Sequence, residues 1–299
     1  MIEIGLAGWG DHARLYKDAG PAARNKLPLY ATWFNAVEVD STFYAVQAPS
    51  LLQKWASETP DPFRFVIKAY QGMTGHMRGG GHKPFESQEA MFQAFRESIE
   101  PVREAGKLDA VLFQYPPWFD CNRMNVAELR RAKEWMDGVP CALEFRNQSW
   151  FSGGMREKTL EFTAQEGWIH TVCDEPQVGD GSVPIVEAAV DPRLTIVRLH
   201  GRSKEGWLSS GQPNWREVRY LYRYNEQELQ EWVQRLHRLE QMSDKVCILF
   251  NNNSGGDAAD NALQLMAMLG QIPPRGSFDS GPAGEPVEQL DLFDLPEGE

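Results

Sequence analysis

The sequence predicts a single (β/α)8 TIM-barrel-like α/β domain over residues 1–275, followed by a disordered acidic tail over 276–299. Three observations point there. Eight short apolar runs recur along the chain, and amphipathic stretches lie between most of them. The composition is ordinary for a globular protein, 42% hydrophobic and 24% charged over 299 residues, and α/β barrels of this length fold as one domain.

The runs, in order, are "IEIGLA", "AVEVD", "FRFVIKA", "DAVLFQY", "CALEF", "WIHTVC", "TIVRLH" and "VCILFN". Each is the length of a buried strand. "ESQEAMFQAFRESIEPVREAG" leads to the fourth, "NVAELRRAKEWMDG" to the fifth and "MREKTLEFTAQEG" to the sixth. "NEQELQEWVQRLHRLEQ" precedes the eighth and "DAADNALQLMAMLG" follows it. All five repeat apolar residues at three- and four-residue spacing, the period of a helix with one buried face. The link after the sixth run, "VPIVEAAVD", is too short for a strong helix.

Charge and cysteine use narrow the class. All 30 basic residues precede position 276, while seven of the 42 acids follow it, so the body carries about −5 of the chain's −12. A body of that sign does not suit extended nucleic-acid binding, though it allows a locally basic cleft. The start "MIEIGLAGWG" lacks the basic and apolar regions of a signal peptide, and no apolar run is long enough to span a bilayer. Cys121, Cys141, Cys173 and Cys247 show no paired spacing, and three of them sit inside strand-like runs. The expectation is a reduced, cytoplasmic protein without membrane partners or disulfides.

Barrel enzymes build their sites at the C-terminal ends of the strands, and side chains there alternate between barrel and helix layer. That period places Glu38 and Asp40, Glu144 and Arg146, and Arg198 and His200 inward. The same phase places Lys68, Gln114, Asp174, Asn251 and Asn253 inward at their strand ends. Glu38, Glu144, Asp174 and His200 are the candidates for proton transfer, His200 being best suited to change protonation near neutral pH. Lys68, Arg146 and Arg198 suit a phosphate or carboxylate, with Gln114, Asn251 and Trp207 as further substrate contacts. The competing interpretation is an ion-pair plug, Glu144 with Arg146 and Glu38 with Arg198. There is no phosphate-loop or dinucleotide fingerprint, and only His200 of the six histidines sits at a strand end, so no resident metal or cofactor is expected. A carboxylate-bound Mg²⁺ stays open.

The segment after the seventh run, "GRSKEGWLSSGQPNWREVRYLYRY", interleaves basic and aromatic residues. It can track a phosphate backbone while rings stack on bases, or its rings can cap the barrel core. The glycine-rich "GMTGHMRGGGHKPF" reads as a mobile loop or as a lid whose His76, Arg78, His82 and Lys83 meet an anion.

The phrases "AVEVDSTFY", "FRFVIKAYQGMTGH", "VLFQYPP", "ALEFRNQSW", "DEP", "VRLHGR" and "ILFNNN" occur in the order of the motifs of the YecE-like family, which the chain resembles from about Ile2 to Gly270. The resemblance implies a TIM-barrel-like fold and no established reaction. It marks Glu38, Lys68, Gln114, Glu144, Arg146, Asp174, Arg198, His200 and Asn251 as motif members. The family usually has Asn where this chain has Asp40. The chain lacks the dense His/Asp/Glu ligand sets of xylose-isomerase-like and endonuclease-IV-like barrels.

The tail carries "QLDLF" at 289–293, which resembles the pentapeptide by which bacterial replication and repair proteins bind the DNA sliding clamp. Gln289, Leu290, Leu292 and Phe293 would make the contact, with the two large side chains entering an apolar pocket. The alternative is a strap folded back on the barrel. Together these features predict an enzyme acting on an anionic, phosphate-containing substrate. It would be a hydrolase of phosphodiesterase or nuclease type, with single-stranded nucleic acid and the clamp as partners. A glycoside-hydrolase-like enzyme and a non-catalytic binding barrel are the alternatives.

Overall fold

A computed structural model describes residues 1–17, 19–20, 24–77, 84–208 and 218–274. The tail and its 289–293 motif, the proposed lid residues Arg78, His82 and Lys83, and Trp215 and Arg216 lie outside the described residues. Eight parallel strands close into a barrel: β1 Ile2–Ala7, β2 Ala36–Val39, β3 Arg64–Lys68, β4 Leu108–Gln114, β5 Cys141–Glu144, β6 Ile169–Asp174, β7 Leu194–Leu199 and β8 Lys245–Phe250. Each pairs with its neighbour in sequence, and β1 with β8 closes the ring through Ile2↔Val246 to Leu6↔Phe250. All eight runs read from the sequence are strands.

The long helices are α1 Pro49–Ser57, α2 Gln88–Glu104, α3 Arg123–Trp135, α4 Met155–Gln165, α5 Glu226–Glu240 and α6 Asp257–Met268. Local chemistry sets their starts. Ser87 accepts from the Ala90 amide, Asn122 accepts from the Asn125 amide, and Asn225 with Glu228 forms a reciprocal cap. The amphipathic faces pack on the outside of the barrel. Phe92, Phe95 and Ile99 of α2, and Trp232 and Leu236 of α5, meet Val37, Phe113 and Phe250 of the strands in one core. No helix connects β6 to β7 among the described residues, as the short link implies.

Inside the barrel the side chains form tiers. Ala36, Val66, Leu112, Ala142, Ile169, Ile196 and Leu249 fill an apolar middle. Below it Lys245 bonds Asp109 at 2.6 Å and approaches Glu3 at 3.5 Å. Above it the strands turn polar. Three of the four cysteines are buried and all four are free thiols. No helix among the described residues is long and apolar enough to cross a membrane.

Gly5 of β1 pairs with Ala36 of β2. A Cβ there would lie 2.2 Å from the Ala36 carbonyl oxygen and 3.2 Å from Leu249. The Ala36 carbonyl is backbone held by strand pairing and cannot yield cheaply, whereas the Leu249 methyl can turn aside. Gly5→Ala is expected to lower the unfolding free energy by about 1–3 kcal/mol, read by urea denaturation. An unchanged midpoint would show that β1 can shift without opening the barrel.

Candidate functional site at the C-terminal mouth

The upper tier is built around Arg198 of β7, which is fully buried. Its Nε and Nη2 donate to the two oxygens of Glu38 on β2, at 2.8 and 2.5 Å. Its Nη1 donates to Glu144 Oε2 on β5 at 2.6 Å and to Gln114 Oε1 on β4 at 3.1 Å. Glu144 turns its other oxygen to Arg146 Nε at 2.6 Å. Arg146 also donates through Nη1 to Glu175, whose second oxygen accepts the Val183 amide at 2.7 Å. Five strand ends are thereby tied into one charge-assisted network.

The electrostatics follow from burial and pairing. Burial pushes the Glu144 carboxyl up, but Arg198 and Arg146 outweigh it and hold the group well below the usual carboxylate range. Burial, helped by the nearby Glu144 charge, outweighs Arg146, the Val183 amide and Arg219 at Glu175, which is pushed up to about 7. His200 is driven well below its ordinary value by burial and then by Arg146 and Arg198. Its Nε2 lies 3.1 Å from Arg146 Nη2 and its Nδ1 lies 3.0 Å from the Asn251 amide. The Asn251 group facing Nδ1 is its amide Nδ2, which donates to a neutral ring, and Nε2 also lies 3.5 Å from Glu144 Oε1. His200 is therefore a fixed neutral imidazole and not the proton switch the sequence suggested, because two guanidinium charges face it in a buried site.

The sequence-derived set divides in three. Glu38, Gln114, Glu144, Arg146, Arg198, His200 and Asn251 converge at the strand ends as expected, but as an interlocked network. Lys68 and Asp40 pair at 3.1 Å on its solvent side, where the Asp40 side chain is 36% exposed. Asp174 departs from the expectation. It points to the helix layer, accepting from Trp232 Nε1 at 2.7 Å and from Arg202 Nε at 3.0 Å. Glu175 takes the inward place. The reason is register. Ile169 pairs with Ala142 and shares the barrel interior with it, so Thr171, Cys173 and Glu175 face in while His170, Val172 and Asp174 face out. "WIHTVC" has apolar residues in both phases, so alternation alone could not fix its face, and "DEP" offered two adjacent acids.

Glu144, Cys173 and His200 offer ligand atoms that all lie within 4.8 Å of one another. The donor set does not fit a cation, because both Glu144 oxygens bind guanidinium groups and His200 Nε2 faces a third N–H.

The segment after β7 separates into pegs and cover. Tyr224 accepts the Gly201 amide at 3.0 Å, Tyr222 donates to Glu228 at 2.5 Å, Arg202 pairs with Asp174, and Arg223 pairs with Asp257. Trp207 and Tyr220 lie over the network. The Arg146 guanidinium is 5.2 Å from the Trp207 ring centre, and the Tyr220 ring centre is 6.1 Å from that of His200. Arg219 stacks on Trp207 at 4.1 Å. Burial would raise the Tyr220 phenol, yet Arg146, Arg219, Lys68 and Arg198 together bring it below its ordinary value. The mouth thus gathers several basic groups within an acidic body. Its basic groups are Lys68, paired with Asp40, Arg146, paired with Glu144 and Glu175, and Arg219, while Arg202 pairs with Asp174 at the helix layer.

Fold and site together define a TIM-barrel protein whose C-terminal face is an arginine–carboxylate network under an aromatic mouth. The family described as protein of unknown function DUF72 matches residues 3–283, and the chain belongs to it. It is 53% identical to the UPF0759 protein YunF of Bacillus subtilis across 98% of this chain and 100% of that one. The UPF0759 protein YecE of Escherichia coli is 24% identical across 78% of this chain and 83% of its own. A DUF72 family protein from Enterococcus faecalis superimposes with a TM-score of 0.85 at 35% identity, covering 91% of this chain and 96% of that one. One from Thermotoga maritima gives 0.76 at 27%, covering 91% and 100%.

Arg198→Lys keeps the charge but loses the fork that holds two carboxylates. It is expected to lower the unfolding free energy by about 3 kcal/mol or more, the scale on which a broken buried pair destabilises. Glu38→Gln, which keeps the shape, should show a smaller loss. Wild-type melting temperatures in both variants would mean that the network is not what the upper tier depends on.

Proposed function

We propose that the C-terminal mouth is the active site of an enzyme acting on an anionic, phosphate-bearing substrate. The observation that carries this reading is the gathering of cations around two rings: Arg146 and Arg219 lie 5.2 and 4.1 Å from the Trp207 ring centre and Arg219 lies 5.7 Å from that of Tyr220, with Lys68 beside Asp40. Lys68 and Arg219 meet the anion, Arg146 adds its charge from the tier beneath, and Trp207 covers it. Tyr220 and Asp40 are the proton-transfer groups that substrate can reach. Hydrolysis of a phosphate ester fits this set, since such chemistry rests on placing cations around the transferred group. Glu38 and Glu144, both buried and both committed to Arg198, act as scaffold. That arrangement disfavours the glycosidase alternative, which needs two carboxylates open to one bond.

The tail motif supports a link to DNA. Gln289, Leu290, Leu292 and Phe293 form a linear contact with the sliding clamp, with an affinity on the order of micromolar for so few buried side chains.

In calorimetry at low salt, pyrophosphate is expected to bind the full chain, with affinity falling tenfold or more in Lys68→Ala or Arg219→Ala. A single-stranded oligonucleotide should bind weakly and lose affinity as salt rises. Equal pyrophosphate affinity in the variants, or none in the wild type, would count against the anion site. For the tail, Leu292→Ala with Phe293→Ala is expected to abolish capture by an immobilised bacterial clamp and to leave the melting temperature unchanged. A fall of several degrees would make the tail a structural strap.

A further inference from the structure

The hydrogen-bonded tier beneath the mouth holds one more carboxylate than it has cations. Glu38, Glu144 and Glu175 are its acids, and Arg146 and Arg198 are its bases. All five are at most 3% exposed. His200 is neutral, and Gln114 and Asn251 carry no charge. With every acid ionised, the tier would bury one negative charge without a partner, which is costly. A single proton removes it.

The hydrogen bonds point to where that proton belongs. Glu144 accepts from a guanidinium on each oxygen. Glu38 accepts both arms of the Arg198 fork, at 2.8 and 2.5 Å. Glu175 accepts one guanidinium N–H, from Arg146, and its second oxygen meets the uncharged Val183 amide at 2.7 Å. The charged and titratable groups around it are Arg146 and Glu144 of β5, Cys173 of its own strand and Arg219 of the segment after β7. Burial holds the Cys173 thiol well above its ordinary value, so it adds no charge. Glu144 opposes ionisation of Glu175 and the two arginines favour it, while burial brings the balance to about pH 7. Burial pushes Glu38 up to about 7 as well, but two charge-assisted bonds from Arg198 make it the poorer holder of a proton.

Building on the anion-site reading, we propose that Glu175 is the proton-binding residue of this site and that its charge sets how tightly the mouth holds an anion. Ionised, it offsets Arg146, whose guanidinium lies 5.2 Å from the Trp207 ring centre. Protonated, it leaves that positive charge to act on the mouth. Anion affinity therefore rises as pH falls through 7, and anion binding draws a proton onto Glu175. The Val183 amide is kept in place by Gln177, whose Nε2 donates to the Glu175 carbonyl at 3.0 Å and to that of Val183 at 2.8 Å.

The test takes two readouts on the full chain at pH 6 and pH 8. Sulfate, which keeps its double charge over this range, is titrated by calorimetry, and stability is read by urea denaturation. A carboxyl raised from 4.5 to about 7 on folding contributes stability that is lost as pH rises through 7. Wild type is therefore expected to be more stable at pH 6 than at pH 8, and to bind sulfate about threefold or more tightly there. Glu175→Gln should bind sulfate at pH 8 as wild type does at pH 6 and lose most of both pH effects, whereas Glu38→Gln should keep them. Wild-type calorimetry at pH 7 in two buffers of different ionisation heat should show proton uptake with sulfate, whether or not the variants fold. If no proton is taken up, if Glu175→Gln follows pH as wild type does, or if Glu38→Gln alone is flat, the proposal falls and the anion site stands. If sulfate binds at neither pH, the anion site falls and this coupling with it.

Discussion

The Arg198 guanidinium, fully buried between Glu38 and Glu144, is the constraint from which the upper half of this barrel is built. A charge so placed costs far more to desolvate than one pair returns, so every one of its neighbours has to be in position. Glu38 supplies both oxygens, Glu144 a third and Gln114 a fourth. These partners come from β2, β5 and β4, across the barrel from β7. The guanidinium therefore works as a tie rod, and only a closed, correctly registered ring can satisfy it.

That tie rod decides which groups are left for chemistry. Glu144, locked between two arginines, stays ionised and cannot exchange a proton near neutral pH. His200 is neutral for the opposite reason, since the same arginines oppose its protonation. One layer out stand Lys68 with Asp40, Arg219, Tyr220 and the rings around them. The network sets the potential they feel. Two buried arginines lie beneath Tyr220, which is why its phenol falls below its ordinary value despite burial.

How much of the site was legible can be argued from single strands. In β5, β7 and β2 the alternation is clean, with Leu143, Val197 and Val37 on one side and Glu144, Arg198 and Glu38 on the other, so the inward charges could be named from spacing. In β6, Ile169, Val172 and Cys173 occupy both faces, and Asp174 was assigned the place that Glu175 fills. His76 was read only as part of a lid, and Phe43 and Trp118, whose rings flank it, left no such trace. They are contributed by three loops, and nothing in their separate sequences says that their rings meet.

Sequence by itself determined the barrel, because hydrophobic period is a local property: eight short apolar runs with helical stretches between them admit few other arrangements. It also determined which strand ends are charged, and that the body is acidic. Only the tertiary structure decided what those charges do. Whether Glu144 is a catalyst or a scaffold depends on how many guanidinium groups lie within hydrogen-bond reach. Whether His200 titrates depends on how deeply it is buried beside them. Both are sums over residues far apart in the chain, and Arg198 meets Glu38 across 160 positions.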